Sequence, residues 1–208
     1  YASKACLTLA LCKIAQQEGL GLDVVSSGEL YTAVKADFPR DRIYMHGNNK
    51  SAEDIEFAVK EGIGNIVIDN FYEIDLIDSL AKKYGKIMNV SLRRKPGIEA
   101  HTHEYIKTGT IDSKFGLGID DGEALKAIKQ ILEKDNLNFL GFHCHIGSQI
   151  FELEPFRMAV DVLIDFALAV KRDTGYLIKE INFGGGFGIT YTPEDAPLEP
   201  HEYLKALI

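Results

Sequence analysis

Ile181-Asn182-Phe183-Gly184-Gly185-Gly186-Phe187-Gly188 closes a short apolar run that begins at Ile178. The run reads as a buried strand, and it stops at three consecutive glycines. Without Cβ atoms, such a backbone takes positive φ and lies close against a ligand. Successive N–H groups then turn toward one anion, the usual way a loop holds phosphate. A flexible turn is the plainer reading of a lone G-G-G-F-G. Where the other strands end decides between the two.

Upstream, a period of about 21 residues organises the first half of the chain. Strand candidates fall at Leu22–Val25, Ile43–Met45, Ile66–Ile68 and Ile87–Leu92. Amphipathic helical patterns lie between them, such as Ile55, Ala58, Val59 and then Ile74, Ile77, Leu80, Ala81. A long polar segment, Lys95 to Gly118, follows; it is too long for an ordinary connection and so reads as functional. A helix (Leu125, Ile128, Leu132), a strand (Phe139–Phe142) and a longer helix (Phe156, Val160, Leu163, Ala167, Val170) lead to the glycines. Strand–helix alternation implies a parallel sheet with right-handed crossovers. Tyr1-Ala2-Ser3-Lys4-Ala5 reads as the end of a further strand, which brings the count to seven. The expected fold is α/β, an incomplete (β/α)8 TIM-type barrel with about seven of eight βα units. Residues 1–208 are read as one domain, truncated at both ends.

The 208 residues fall short of the roughly 250 of a typical barrel. A composition of 46% hydrophobic and 26% charged residues is that of an ordinary globular protein. A formal charge of −8 argues against nucleic acid or an anionic membrane as the main partner. No apolar run approaches the roughly 20 residues of a membrane span. Cys6, Cys12 and Cys144 are odd in number and lack C-x-x-C spacing, so unpaired thiols and a cytoplasmic setting are expected.

Polar residues gather where the strands end, the face on which barrel enzymes keep their active sites. They are Lys4, Asp23 and Glu29, His46-Gly47-Asn48-Asn49-Lys50, Arg93, His143 to Gln149, and the triple glycine. Lys4 sits among small and apolar residues, where an ammonium is costly to desolvate. That makes it a candidate Schiff-base nucleophile, although a surface lysine is the commoner case. Alternation along a strand places His143 and His145 on one face and Cys144 on the other. An H-x-H at a strand end can bind metal, and His101-Thr102-His103 offers a second pair, so a metal-dependent hydrolase is open. A single imidazole can instead lie flat on an aromatic cofactor. Ser148 can give a phosphate its hydroxyl, and Arg93 can meet a phenolate or carboxylate. Each signal is weak alone; their convergence on one rim carries the reading.

With these motifs assembled, the chain resembles the bacterial diaminopimelate decarboxylases, members of the alanine-racemase-like, fold type III enzymes that use pyridoxal 5′-phosphate. Tyr1 to Ala5, Gly21 to Leu30, His46 to Lys50, Glu99 to His103, Asp112 to Gly116, Gly141 to Gln149 and Gly184 to Gly188 carry the resemblance across the whole chain. It implies that Lys4 carries the cofactor covalently and later moves protons. It further implies that His145 stacks on the pyridine ring, and that Ser148, Gly184, Gly185 and Gly186 cradle the phosphate. Arg93, with Lys114, falls near the phenolic side. The implied reaction converts meso-2,6-diaminopimelate to L-lysine and carbon dioxide in lysine biosynthesis, by a cytoplasmic homodimer. The family's E-P-G-R motif and C-terminal β-domain have no counterpart before Ile208, so this stretch alone is expected to be inactive. The alternatives are a sister decarboxylase of ornithine, arginine or carboxynorspermidine, the metal-dependent hydrolase, and a non-catalytic pyridoxal-phosphate-binding barrel.

Overall fold

A computed structural model describes residues 1–95, 115–119 and 121–208. Six strands form one sheet: β1 (Leu22–Val24), β2 (Ile43–Met45), β3 (Asn65–Ile68), β4 (Met88–Arg93), β5 (Leu137–His143) and β6 (Glu180–Asn182). Their order in the sheet is their order in the chain. β1 pairs with β2, β2 with β3 and β5 with β6 in parallel. Consecutive parallel neighbours separated by helices are the topology of a (β/α) barrel, here an incomplete one.

The helices are α1 (Leu9–Gln17), α2 (Ser27–Lys35), α3 (Ala52–Glu61), α4 (Phe71–Lys83), α5 (Glu123–Leu132), α6 (Glu154–Thr174) and α7 (Pro200–Ala206). One local device starts α2, α3 and α4. A Ser26, Ser51 or Asn70 side chain accepts the N–H of the residue three positions on. That residue, Glu29, Asp54 or Glu73, turns its carboxylate back onto the N–H of Val25, Ser51 or Asp69. Orphan donors at each helix start are thereby satisfied reciprocally. Because the N–H of Val25 goes to Glu29 at 2.8 Å, β1 ends one residue earlier than its apolar run suggests.

The chain divides into two compact units, Tyr1–Ser91 with Ala127–Leu140, and Leu92–Lys126 with Gly141–Ile208. In the first, β3 is buried at every position, the continuous apolar strand expected of a parallel sheet covered on both faces. Ile55, Ala58 and Val59 of α3 and Ile74, Ile77 and Ala81 of α4 are fully buried, which accounts for their helical spacing. In the second, Phe156 of α6 packs edge-on against Tyr203 of α7, and Phe187 stacks on Tyr203 with centroids 4.8 Å apart. Neither the periodicity nor the motifs had pointed to α7. Its signal is local: Pro200 at the first helical position, and Glu199 and Glu202 in a reciprocal cap.

The first strand differs from expectation. Only Ala2 bridges to Asp23, and Ser3–Ala5 form a 3-10 turn closed by the Ala5 N–H on the Ala2 carbonyl at 3.2 Å. Lys4 therefore lies in a turn, not at a strand end. The thiols of Cys6, Cys12 and Cys144 are free. No helix among the described residues is long and apolar enough to cross a membrane.

Candidate cofactor site

In the first unit, the Asp23 N–H donates to the Tyr1 carbonyl at 2.8 Å, which holds the turn carrying Lys4 beside β1. Lys4 is exposed, the commoner case for a lysine read from spacing alone. Asp23 Oδ1 meets His46 Nε2 at 3.2 Å. Partial burial pushes this acid up, but the His46 hydrogen bond and the charges of His46 and Lys4 outweigh it. Asp23 is held below the usual carboxylate range. His46, at the end of β2, is buried, and its backbone N–H donates to the Val24 carbonyl at 2.8 Å. Four residues on, the Lys50 side chain is 1% exposed. Its ammonium donates to the carbonyls of Gly47 at 2.7 Å and Val67 at 2.8 Å, and meets Glu73 Oε2 at 2.8 Å. Burial pushes Glu73 up, against the opposing pull of Lys50.

In the second unit, β5 ends at His143, paired in register with Asn182 of β6. Strand alternation therefore does not extend to His145. Cys144 continues the pairing through its N–H to the Asn182 carbonyl at 2.9 Å. Its buried thiol is pushed up to about 12 by desolvation, a structural cysteine and not a nucleophile. The segment after His145 is then zipped to the glycine loop. The Ile150 N–H donates to the Gly186 carbonyl at 3.0 Å, and the Gly188 N–H to the Ile150 carbonyl at 2.9 Å. The Gln149 amide brackets the Ile189 backbone, donating to its carbonyl at 2.8 Å and accepting its N–H at 2.9 Å. These bonds place Ser148 on the segment that pairs with the loop.

Gly184 and Gly186 have φ of +72° and +97°, and their need for glycine is steric as well as conformational. A Cβ at Gly184 would come within 3.0 Å of His145 Nδ1 and 2.6 Å of the Cys144 carbonyl. A Cβ at Gly186 would collide with the Gly147 carbonyl and lie 3.3 Å from His145 Cε1. The imidazole of His145 thus lies directly against both glycines. Gly185 differs, since a Cβ there would meet nothing within 4 Å. The Gly184 N–H is committed to Asn182 Oδ1 at 2.8 Å, which fixes how the loop leaves β6. Residues 184–186 therefore fit a phosphate: a main chain that excludes side chains on two sides and borders open space at Gly185.

Of the expected site residues, the structure brings His145, Ser148, Gly184, Gly185 and Gly186 onto one paired loop. Arg93 ends the neighbouring β4, its guanidinium 4.3 Å from the centroid of the Phe115 ring, and the next residue's N–H binds the His143 carbonyl at 2.9 Å. Lys4 belongs to the other unit. His101, His103 and Lys114 lie outside the described residues. Sequence reasoning left Lys50, Glu73 and Asn182 without a role. The repeated cap pattern of Ser26 with Glu29 and Asn70 with Glu73 was the signal that could have singled out Glu73. Among the described residues, no group of three or more His, Cys, Asp and Glu is arranged to hold a metal ion.

Strand-end loops of a β/α fold that carry an imidazole, a serine and a glycine cradle have the residue types that suit a flat cofactor bearing a phosphate. The chain belongs to the family of pyridoxal-dependent decarboxylases, whose pyridoxal binding domain matches residues 1–208. It is 49% identical over 208 residues to diaminopimelate decarboxylase of Bacillus subtilis, covering 100% of this chain and 47% of that one. With the enzyme of Bacillus methanolicus the identity is 50%, covering 100% and 48%. Among solved structures, diaminopimelate decarboxylase from Helicobacter pylori complexed with L-lysine superposes with a TM-score of 0.91 at 32% identity, covering 100% of this chain and 52% of that one. The chain spans about half the length of the curated relatives it matches. The family match, and no feature of the histidines, sets the metal-hydrolase reading aside.

Proposed function

We propose that residues 1–208 are the pyridoxal-phosphate-binding barrel domain of a cytoplasmic, homodimeric diaminopimelate decarboxylase. The reaction converts meso-2,6-diaminopimelate to L-lysine and carbon dioxide, the last step of lysine biosynthesis. The observation that carries the reading is the match to such enzymes over the full 208 residues, at close to half identity. The seating of the His145 imidazole against Gly184 and Gly186 supports it independently.

The residues divide the work by chemistry. Main-chain N–H groups of the glycine loop and the Ser148 hydroxyl hold the phosphate, as charge-assisted donors. His145, held against the two glycines, would stack on a flat aromatic partner. Arg93 would supply positive charge to the bound cofactor. Lys4 Nζ would hold the cofactor covalently, and the same amine would hold and return the proton at the substrate carbon. Asp23, held ionised by His46, sets a negative charge within electrostatic range of Lys4. When bound, the protonated ring supplies the sink for the electron pair. The test is carbon dioxide release from meso-diaminopimelate by the full-length protein, wild type against Lys4→Ala. Release is expected from the wild type and near-complete loss from the variant. Turnover of ornithine or arginine in preference to diaminopimelate would move the assignment to a sister decarboxylase.

A further inference from the structure

Lys50 and Glu73 form a buried ion pair that none of the roles above uses. Their side chains are 1% and 2% exposed, and the contact is 2.8 Å. Burying two opposite charges is at best neutral for stability against an apolar pair of similar volume, so stability alone does not account for it. Helix capping does not either. Glu29 and Asp54 occupy the same third position of α2 and α3. Each carboxylate accepts a backbone N–H just before or at the start of its helix, Val25 for Glu29 and Ser51 for Asp54. Neither forms an ion pair among the described residues. Glu73 alone of the three carries a lysine with it.

The geometry of Lys50 shows what the pair holds. The ammonium has three donors, and the Gly47 carbonyl, the Val67 carbonyl and Glu73 take them. Gly47 wraps around the lysine stem at φ +134°, close enough that a Cβ would lie 3.2 Å from Lys50 Cγ. The residue before Gly47 is His46, whose imidazole reaches Asp23 at 3.2 Å. We infer that Lys50 is a positioning residue for the Lys4 end of the site: drawn inward by Glu73, its ammonium pins the Gly47 carbonyl and so holds His46 against Asp23. The inference rests on the pyridoxal reading only for its purpose. Its physical content concerns the protein without cofactor.

Released from His46, the Asp23 carboxylate is free to turn to Lys4 and favour its ammonium form. The amine then becomes a poorer nucleophile. The test is competitive acylation of Lys4 by acetic anhydride in the cofactor-free, full-length protein, read peptide by peptide by mass spectrometry. Lys50→Met combined with Glu73→Gln removes the pair without stranding a charge, and the side-chain carbonyl of the introduced glutamine can still accept the Asp69 N–H. Labelling of Lys4 is expected to fall several-fold in this double variant. It should fall equally in His46→Ala, and no further when all three substitutions are combined, because they act on one contact. Should the double variant not fold, Lys50→Gln with Glu73→Gln, which also strands no charge, carries the same prediction at smaller scale. Unchanged labelling in a folded variant, or an additive loss in the combination, overturns the inference. Neither result depends on whether diaminopimelate is turned over.

Discussion

In the unit that contains Lys4, candidate residues are held by other side chains: Asp23 by His46 at 3.2 Å, Lys50 by Glu73 at 2.8 Å. In the unit that contains the glycine loop, they are held by backbone and by the absence of side chains. His145 rests where Cβ atoms would otherwise be, and main-chain bonds at Ile150 and Gly188 fix the segment around Ser148. The difference matches the tasks proposed for the two. Presenting an amine calls for tuned charge, which side chains supply. Gripping a phosphate calls for several fixed N–H donors at short range, which only bare backbone supplies.

The comparison breaks most readily at Lys50. Lys50→Met alone leaves Glu73 buried without its partner, and a loss of about 3–5 kcal/mol is expected from denaturant unfolding of the full-length protein. A loss under about 1 kcal/mol would mean that the charges of this unit are ornamental to its stability. Next in size is Gly186→Ala, which meets the Gly147 carbonyl at a positive φ; roughly 3 kcal/mol is expected. Gly185→Ala sharpens the contrast. Its Cβ enters open space, so unfolding should be nearly unchanged while affinity for pyridoxal phosphate, followed by absorbance, falls. Equal effects of the two alanines on stability would remove the distinction between the steric and the ligand-facing glycines.

Smaller effects follow. Asn182→Ala deprives the Gly184 N–H of its acceptor and should cost about 1 kcal/mol, with some loss of cofactor affinity. The Asp23 acid is lowered in the folded state, so its contribution is present above the unfolded carboxylate value. That contribution disappears as pH falls through the folded value. Asp23→Asn should therefore narrow the gap in urea midpoint between neutral and acidic pH. Least of all, Tyr203→Phe should change stability by no more than about 0.5 kcal/mol in either direction, because the buried hydroxyl finds no protein partner among the described residues. A large loss there would reveal a bond that the fold does not otherwise show.

The fold was legible wherever apolar spacing met a strand or helix of ordinary length. β2 at Ile43–Met45 and the buried faces of α3 and α4 follow from periodicity alone. The ends were less so. Val25 looks like strand but gives its N–H to Glu29, and Lys4 looks like a strand end but stands in a turn. Those outcomes depend on which partner a backbone group finds, and composition does not record that. The glycine loop and His145 were visible as residue types. Their contact was not, because it arises from a loop leaving the end of β6 and meeting the chain beyond β5. Lys50 was hardest to see. A lysine five residues beyond a strand reads as solvent-facing until Glu73, 23 residues further along the chain, is seen beside it.

The cofactor's place on the chain is decided by which lysine carries it. The full-length protein is loaded with pyridoxal phosphate, reduced with borohydride and digested, and the added mass is located by peptide sequencing. The prediction is a single modified site at Lys4, lost in Lys4→Ala. Modification concentrated on Lys50, Lys95 or any other lysine, or undiminished in the Lys4→Ala protein, would contradict the account.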